Sequence, residues 1–264
     1  MVRATENFSM TSDPRMHSRF PGMIQVGDNF FHSSAVVGPD VVVGKNNVVG
    51  PFAVIVGNVQ IGDGNWFGPH TTIGTAAQYA TERNEYKETG FLPIRIGSHN
   101  TFREYTTVHE PSSTQTLIED HCYFMSYSHV SHDTIIRSKV TLTNGVQIGG
   151  FTEVQYAATV GLLTTIHQFT TIGAFSMVGM SSVVAKDLPP FLKWTGNPAR
   201  CRGVNSVGLR RHGFSQQLID AIAAACASNA PLPPEALSYV EEFRARNAET
   251  GRAVAEGEGG SASS

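Results

Sequence analysis

Residues 118–184 read IEDHCYFMSYSHVSHDTIIRSKVTLTNGVQIGGFTEVQYAATVGLLTTIHQFTTIGAFSMVGMSSVV. Stepping by six from Ile118 gives Phe124, Val130, Ile136, Leu142, Ile148, Val154, Val160, Ile166, Ile172, Val178 and Val184, each aliphatic or Phe. With 41% of the chain apolar, twelve such hits in a row arise by chance on the order of once in ten thousand or more rarely. An amphipathic helix repeats every 3.6 residues and a half-buried strand every two, so neither explains a period of six. A coil of three short flat strands does. Each face of the triangular prism takes six residues, turns one apolar side chain inward and stacks it on its counterpart one coil later.

The same ruler runs upstream through Val37, Val43, Val49, Ile55, Ile61, Phe67 and Ile73, then through Ile96, Phe102 and Val108. Gly38, Gly44, Gly50, Gly62, Gly68 and Gly74 follow ruler residues, and a glycine there is expected to permit the tight corner. Two interruptions, between Ile73 and Ile96 and between Val108 and Ile118, predict loops thrown out from a corner, where binding groups often sit. After Val184 the ruler stops at KDLPPF, and a linker with Asn197-Pro198 follows. SQQLIDAIAAACA (215–227) predicts a helix with Ser215 as N-cap and Leu218, Ile222 and Ala225 on one face. PPEALSYVEEFRAR (233–246) predicts another, carrying Leu237, Val240 and Phe243. The expected organisation is an N-terminal extension (1–30), an all-β parallel β-helix (31–188), a small C-terminal α-helical region (189–250) that protects the open end of the coil, and a flexible tail (251–264).

The 264 residues carry a formal charge of −3 with no block of like charges, which argues against nucleic acid as the main partner. Cys122, Cys201 and Cys226 lie far apart and form no CxxC pair, as expected of a reducing compartment. No apolar run is long enough for a transmembrane segment or a signal peptide, so a soluble, cytoplasmic protein is expected.

Within the ruler, SHVSHD (128–133) places His129 and His132 three apart, with Asp133 directly after. The residues suit metal ligands, a base with its orienting acid, or core histidines. His129 precedes the inward Val130 and so points outward, while His132 lies near a corner, which disfavours the core. A metal site needs further ligands, for which His109 and His167 are available.

HVSHD (129–133), TIHQFTTIG (165–173), VAKDLPP (184–190) and above all GVNSVGLRRHGFS (203–215) resemble the UDP-N-acetylglucosamine acyltransferases of lipid A biosynthesis, within the hexapeptide-repeat superfamily. The resemblance spans roughly residues 31–250. It implies a left-handed β-helix, against the usual right-handed crossover rule. It also implies transfer of a 3-hydroxyacyl chain from acyl carrier protein to the 3-hydroxyl of the sugar nucleotide, a homotrimer with sites between neighbouring prisms, and no cofactor or metal. Carried over position by position, His132 is the general base, Asp133 orients it and the Gly150 N–H meets the oxyanion. Glu85, Lys87, His109, His129, His167 and Gln168 match substrate contacts, Asn205 and Arg211 the uridine-diphosphate end, and Met180 the floor of the acyl groove. Phe151 departs from the pattern, which usually has histidine there, and the first ruler block is one coil short. A related transferase acting on another aminosugar or amine, or a zinc-dependent carbonic-anhydrase-like trimer, are the alternatives.

Overall fold

Every ruler position from Val49 to Val184 faces the inside of a left-handed parallel β-helix, with at most 6% of its surface exposed. The computed structural model describes residues 20–78, 92–228 and 231–256. Except at its two ends, each coil strand pairs in parallel with the strand three further along, which gives a prism of three faces. Face A has eleven strands, from β1 (Met23–Val26) to β26 (Arg200–Val204). Face B has eight, from β3 (Val36–Val37) to β24 (Val183–Val184), and face C seven, from β4 (Val41–Val43) to β22 (Thr171–Ile172). Stacking in register puts like on like, as where Phe102 lies between Phe67 (4.9 Å) and Phe124 (4.6 Å). Truncating one such buried side chain to Ala costs about 2–5 kcal/mol.

The corners differ from expectation in one respect. At most corners the left-handed backbone falls three residues after the ruler position, usually on side-chain-bearing residues such as Asp133 (φ 56°), Phe151 (59°) and Phe169 (63°). The glycine directly after the ruler residue serves close approach instead. A Cβ on Gly161 would sit 2.6 Å from the Met180 amide nitrogen of the next coil. On the C–A edge a ladder that the ruler does not reveal runs through Asn29, Asn47, Asn65 and Asn100. Each Oδ1 accepts the amide N–H of the ladder residue above at 2.8–2.9 Å, and Asn100 serves Cys122 at 2.7 Å.

Both ends of face A are closed by antiparallel hairpins. The first pairs β1 with β2 (Asn29–His32), and places Phe31 over Val49. At the other end the coil continues past the point where the ruler stops. Leu188 pairs with Ile172, and Trp194, on β25 (Leu192–Thr195), lies opposite Val178 with none of its surface exposed. β25 then turns back along β26.

Three helices follow: α1 (Ser206–Arg211), which the sequence reading did not anticipate, α2 (Gln216–Ser228) and α3 (Pro234–Thr250). Ser215 Oγ accepts the Leu218 N–H at 3.2 Å, as expected of an N-cap. The buried face of α2 is Ile219, Ile222 and Ala225, with Leu218 only partly covered. α3 buries Ala236 and Phe243, whereas Leu237, expected on that face, is 41% exposed. The helices pack on an aromatic cluster at the C–A edge, where Phe175 meets Phe214 and Tyr239 edge-on, each at 5.0 Å. Beyond α3, Ala255 donates its N–H to the Asp187 carbonyl at 2.8 Å, so residues 253–255 run alongside the coil.

Candidate active site

The edge between faces B and C carries the chemistry. Both sequence insertions leave the prism there. Residues 79–91, which include Glu85 and Lys87, lie outside the described residues. The second loop, 110–115, folds back over the corner made by His132 and Asp133. Asp133 Oδ1 accepts from Ser113 N (3.0 Å), Thr114 N and Thr114 Oγ1 (2.9 Å). Oδ2 accepts from Ser112 N (2.9 Å), Ser112 Oγ (2.6 Å) and His132 Nδ1 (2.7 Å). Burial opposes charge on this carboxyl, but these donors outweigh it and hold the group well below the usual carboxylate range. An anionic Asp133 requires His132 to present Nδ1–H, which leaves the lone pair on Nε2. His132 sits on the outer corner as expected, yet it is only 6% exposed because Ser112 lies over it.

Gly150, one coil on, lies against the ring. A Cβ there would stand 2.6 Å from His132 Cε1 and 2.8 Å from Nε2, so only glycine admits the imidazole in this position. The Gly150 N–H has no hydrogen-bond partner among the described residues. Phe151 packs edge-on against His132 (5.3 Å, 88°) and stacks on Phe169 (4.6 Å). His132 is therefore fixed by a carboxylate, a bare backbone and an aromatic ring. A donor N–H lies beside it, and an acyl transfer needs that combination: a proton acceptor and a site for the oxyanion.

On face B below it, His129 bonds Thr107 Oγ1 through Nδ1 (2.8 Å) and meets His109 edge-on at 5.0 Å. His109 donates Nδ1–H to the Ala76 carbonyl (2.7 Å). Burial pushes His129 down to about 4, with further repulsion from His109 and His132. Burial also lowers His109. Both are neutral hydrogen-bonding groups at neutral pH. Among the described residues no group of three or more His, Cys, Asp and Glu is arranged to hold a metal ion.

The remaining candidates divide by position. His167 and Gln168 share the B–C edge one coil beyond Gly150 and are exposed. Met180 does not join them: it is 69% exposed on the A–B edge, across face B from His132. Asn205 lies at the C–A edge, its Nδ2 donating to the Phe175 carbonyl (2.9 Å) and its Oδ1 accepting from the Gly208 N–H (3.2 Å) as the N-cap of α1. Arg211 is exposed at the end of that helix. One chain thus spreads the proposed contacts over three edges. Ser112, Ser113, Thr114 and Phe151 are partners of the His132–Asp133 pair that the sequence did not reveal. The only sequence signal for the first three was the long step from Val108 to Ile118.

Two family models match the chain. "Bacterial transferase hexapeptide (six repeats)" covers residues 40–75, and "Udp N-acetylglucosamine O-acyltransferase; Domain 2" covers residues 187–228. The acyl-[acyl-carrier-protein]–UDP-N-acetylglucosamine O-acyltransferase of Campylobacter concisus is 34% identical over 206 residues, which is 77% of each chain. The enzyme of the same name from Thermodesulfovibrio yellowstonii is 36% identical over 213 residues, covering 75% of this chain and 83% of its own. The crystal structure of the UDP-N-acetylglucosamine acyltransferase of Francisella novicida superposes with a TM-score of 0.65 at 25% identity, covering 85% of this chain and 93% of the other. The coil and these similarities agree: the chain belongs to the UDP-N-acetylglucosamine O-acyltransferase family.

Proposed function

We propose that this chain transfers a 3-hydroxyacyl group from acyl carrier protein directly to the 3-hydroxyl of UDP-N-acetylglucosamine, with His132 as general base and no covalent intermediate. The observation that carries the reading is the 2.7 Å bond from His132 Nδ1 to a carboxylate held by five further donors, with the ring lying on Gly150. Nε2 takes the sugar hydroxyl proton as that oxygen attacks the thioester carbonyl. Asp133 stabilises the imidazolium so formed. The Gly150 N–H donates to the carbonyl oxygen as it becomes anionic. Collapse expels the carrier thiolate, which takes up the proton from His132. The thioester is already activated, so no serine or cysteine nucleophile is required. His109, His129, His167 and Gln168 supply sugar contacts on the same edge and face. Arg211, at the opposite end of α1 from Asn205, binds phosphate oxygens on this reading, and Glu85 and Lys87 belong to the sequence insertion after Ile73.

The active form on this reading is a cytoplasmic homotrimer. Two features support it. The first is the division of His132, Met180 and Arg211 among three edges, which only neighbouring copies can bring together. The second is an exposed column on the A–B edge, where Phe52, His70, Tyr105 and Tyr127 stack at 5.1, 4.8 and 4.9 Å with Phe52 and Tyr127 57% and 61% exposed. Monomeric soluble proteins rarely leave such a strip uncovered. Sedimentation showing a fully active monomer would defeat the assembly. For the reaction, purified protein is assayed with 3-hydroxyacyl carrier proteins of several lengths and with UDP-N-acetylglucosamine beside other sugar nucleotides. Product with UDP-N-acetylglucosamine supports the reading; turnover only with another aminosugar or amine replaces the acceptor. Stoichiometric zinc in the same sample would favour the carbonic-anhydrase-like alternative.

A further inference from the structure

We propose that Arg246, on the last helix, is a positioning residue for His132 and acts through Phe151; the inference rests on the reading of His132 as the base. α3 crosses face C from the C–A edge, where the other helices pack, to the B–C edge. There Arg246 Nη2 donates to the Phe151 carbonyl at 3.3 Å, a bond across 95 residues of sequence. The guanidinium is held on its other sides. Nη1 bonds Glu249 at 3.0 Å, and Nε lies 3.3 Å from Glu153 Oε2. Nε makes no aligned hydrogen bond, so that second contact is ionic. Glu153 is 2% exposed and its other oxygen takes Arg137 Nε at 2.8 Å, which fixes the carboxylate in turn.

Phe151 is the residue through which this anchorage reaches the base. Its backbone is left-handed (φ 59°), so the corner depends on its neighbours to hold it. The Phe151 N–H bonds the His132 carbonyl at 3.1 Å, and the Gly150 carbonyl accepts from Phe169 N at 2.9 Å. Arg246 supplies the donor to the Phe151 carbonyl. The phenyl ring of Phe151 then packs edge-on with His132, whose Nδ1 is tied to Asp133. Without Arg246 the two coil bonds remain, so the corner loosens rather than unfolds. The base and the oxyanion N–H lose registry together. A misplacement of about 1 Å costs as much as 10²-fold in rate, and a partial loosening is expected to cost about tenfold.

The test compares two variants of the full chain. Arg137 shares Glu153, and also binds Glu119 (3.0 Å) and lies 3.6 Å from Glu242 of α3, but no bond from it to Phe151 is made. Arg137→Met therefore weakens the same docking of α3 without touching the corner. Arg246→Met is expected to lower kcat about tenfold with KM unchanged and to shift the His132 ring resonances in a carbon-13 histidine spectrum recorded without substrate. Arg137→Met is expected to lower the melting temperature comparably while kcat stays within twofold. Arg246→Lys, which keeps one donor, should recover part of the rate. Phe151→Leu, which keeps the carbonyl bond but removes the ring, should reproduce the loss should Arg246→Met not fold. Equal kcat losses in the two arginine variants, or unchanged kcat and resonances in Arg246→Met, would overturn the assignment. A wild-type protein inactive with the acyl carrier substrate sinks the reaction instead, and the histidine spectra still report on Arg246.

Discussion

Replacing Gly150 by Ala separates the steric role of that glycine from its N–H. The backbone at Gly150 is not left-handed, so alanine costs nothing there in φ, and the N–H remains. The whole effect is the added methyl. It would stand 2.6 Å from His132 Cε1, 2.8 Å from Nε2 and 3.1 Å from Nδ1. Carbon atoms rest at about 3.5–4.0 Å, so the imidazole must retreat by about 1 Å. It cannot do so freely, because Nδ1 is tied at 2.7 Å to a carboxylate that five other donors immobilise. Overpacking of this kind costs about 1–3 kcal/mol of stability, and a base displaced by about 1 Å loses on the order of 10²-fold in kcat. Initial rates of acyl transfer at saturating substrates, with a urea melt of the same preparation, measure both. A Gly150→Ala enzyme with wild-type kcat would show that the ring position seen here is not the working one.

Three further outcomes follow from the same geometry. His132→Ala should lower kcat about 10²–10⁴-fold, whereas Asp133→Asn should lose less rate but more stability, about 1–3 kcal/mol, because an amide NH₂ would face the N–H groups of the 112–114 loop. Urea melts that rank the two variants in the opposite order would refute this. His129 titrates near 4 in the fold, held down by burial, against about 6.5 in the unfolded chain. The unfolded chain therefore binds the extra proton, and stability that is complete above about pH 6.5 declines as the pH falls towards 4; melts across this range should show His129→Gln with a shallower decline, and an identical slope would remove His129 as the cause. Met180, 69% exposed, should stop the acyl groove early if it lines it, so that a roughly ten-carbon donor is preferred and Met180→Gly shifts preference to longer chains. An unchanged chain-length profile in that variant places the stop elsewhere.

The coil was legible because a six-residue period is the geometry itself: Ile118 to Val184 name the inward positions one by one. What the period could not convey was anything set by the outward residues. Asp133, Phe151 and Phe169 take the left-handed corners although none is glycine, since a repeated corner is stabilised by the coils above and below it rather than by local preference. The coil past Val184 escaped notice because Val178 and Trp194 stand sixteen apart instead of eighteen. The site was half legible. His132 and Asp133 are adjacent in sequence, and their pairing follows from that. The loop donors on Asp133 come from 19 to 21 residues away and the Arg246 contact from 95, distances at which spacing carries no signal. Leu237 was misplaced because α3 buries a narrow strip, Ala236 and Phe243, against a wide face.

A solenoid also imposes a rule on where a site can be. Residues 18 apart share a column, so His132, Gly150 and Gln168 stand above one another on one edge, and Asp133, Phe151 and Phe169 on the next position of it. Met180 is 48 residues from His132, which is two full coils and two faces more, and so lies on a different edge however the coils twist. The helices that carry Arg211 are tied to the third edge by the Asn205 bond to Phe175. No bending of a rigidly stacked prism brings these columns together, because each inward ruler residue is locked between its neighbours above and below. A groove that begins at His132 and is bounded by Met180 or Arg211 must therefore have a second prism as its other wall. Heterologous contacts of that kind close into a ring when the rotation permits. On the proposed reading, the same coil that holds His132 rigid leaves the rest of the site to another copy of the chain.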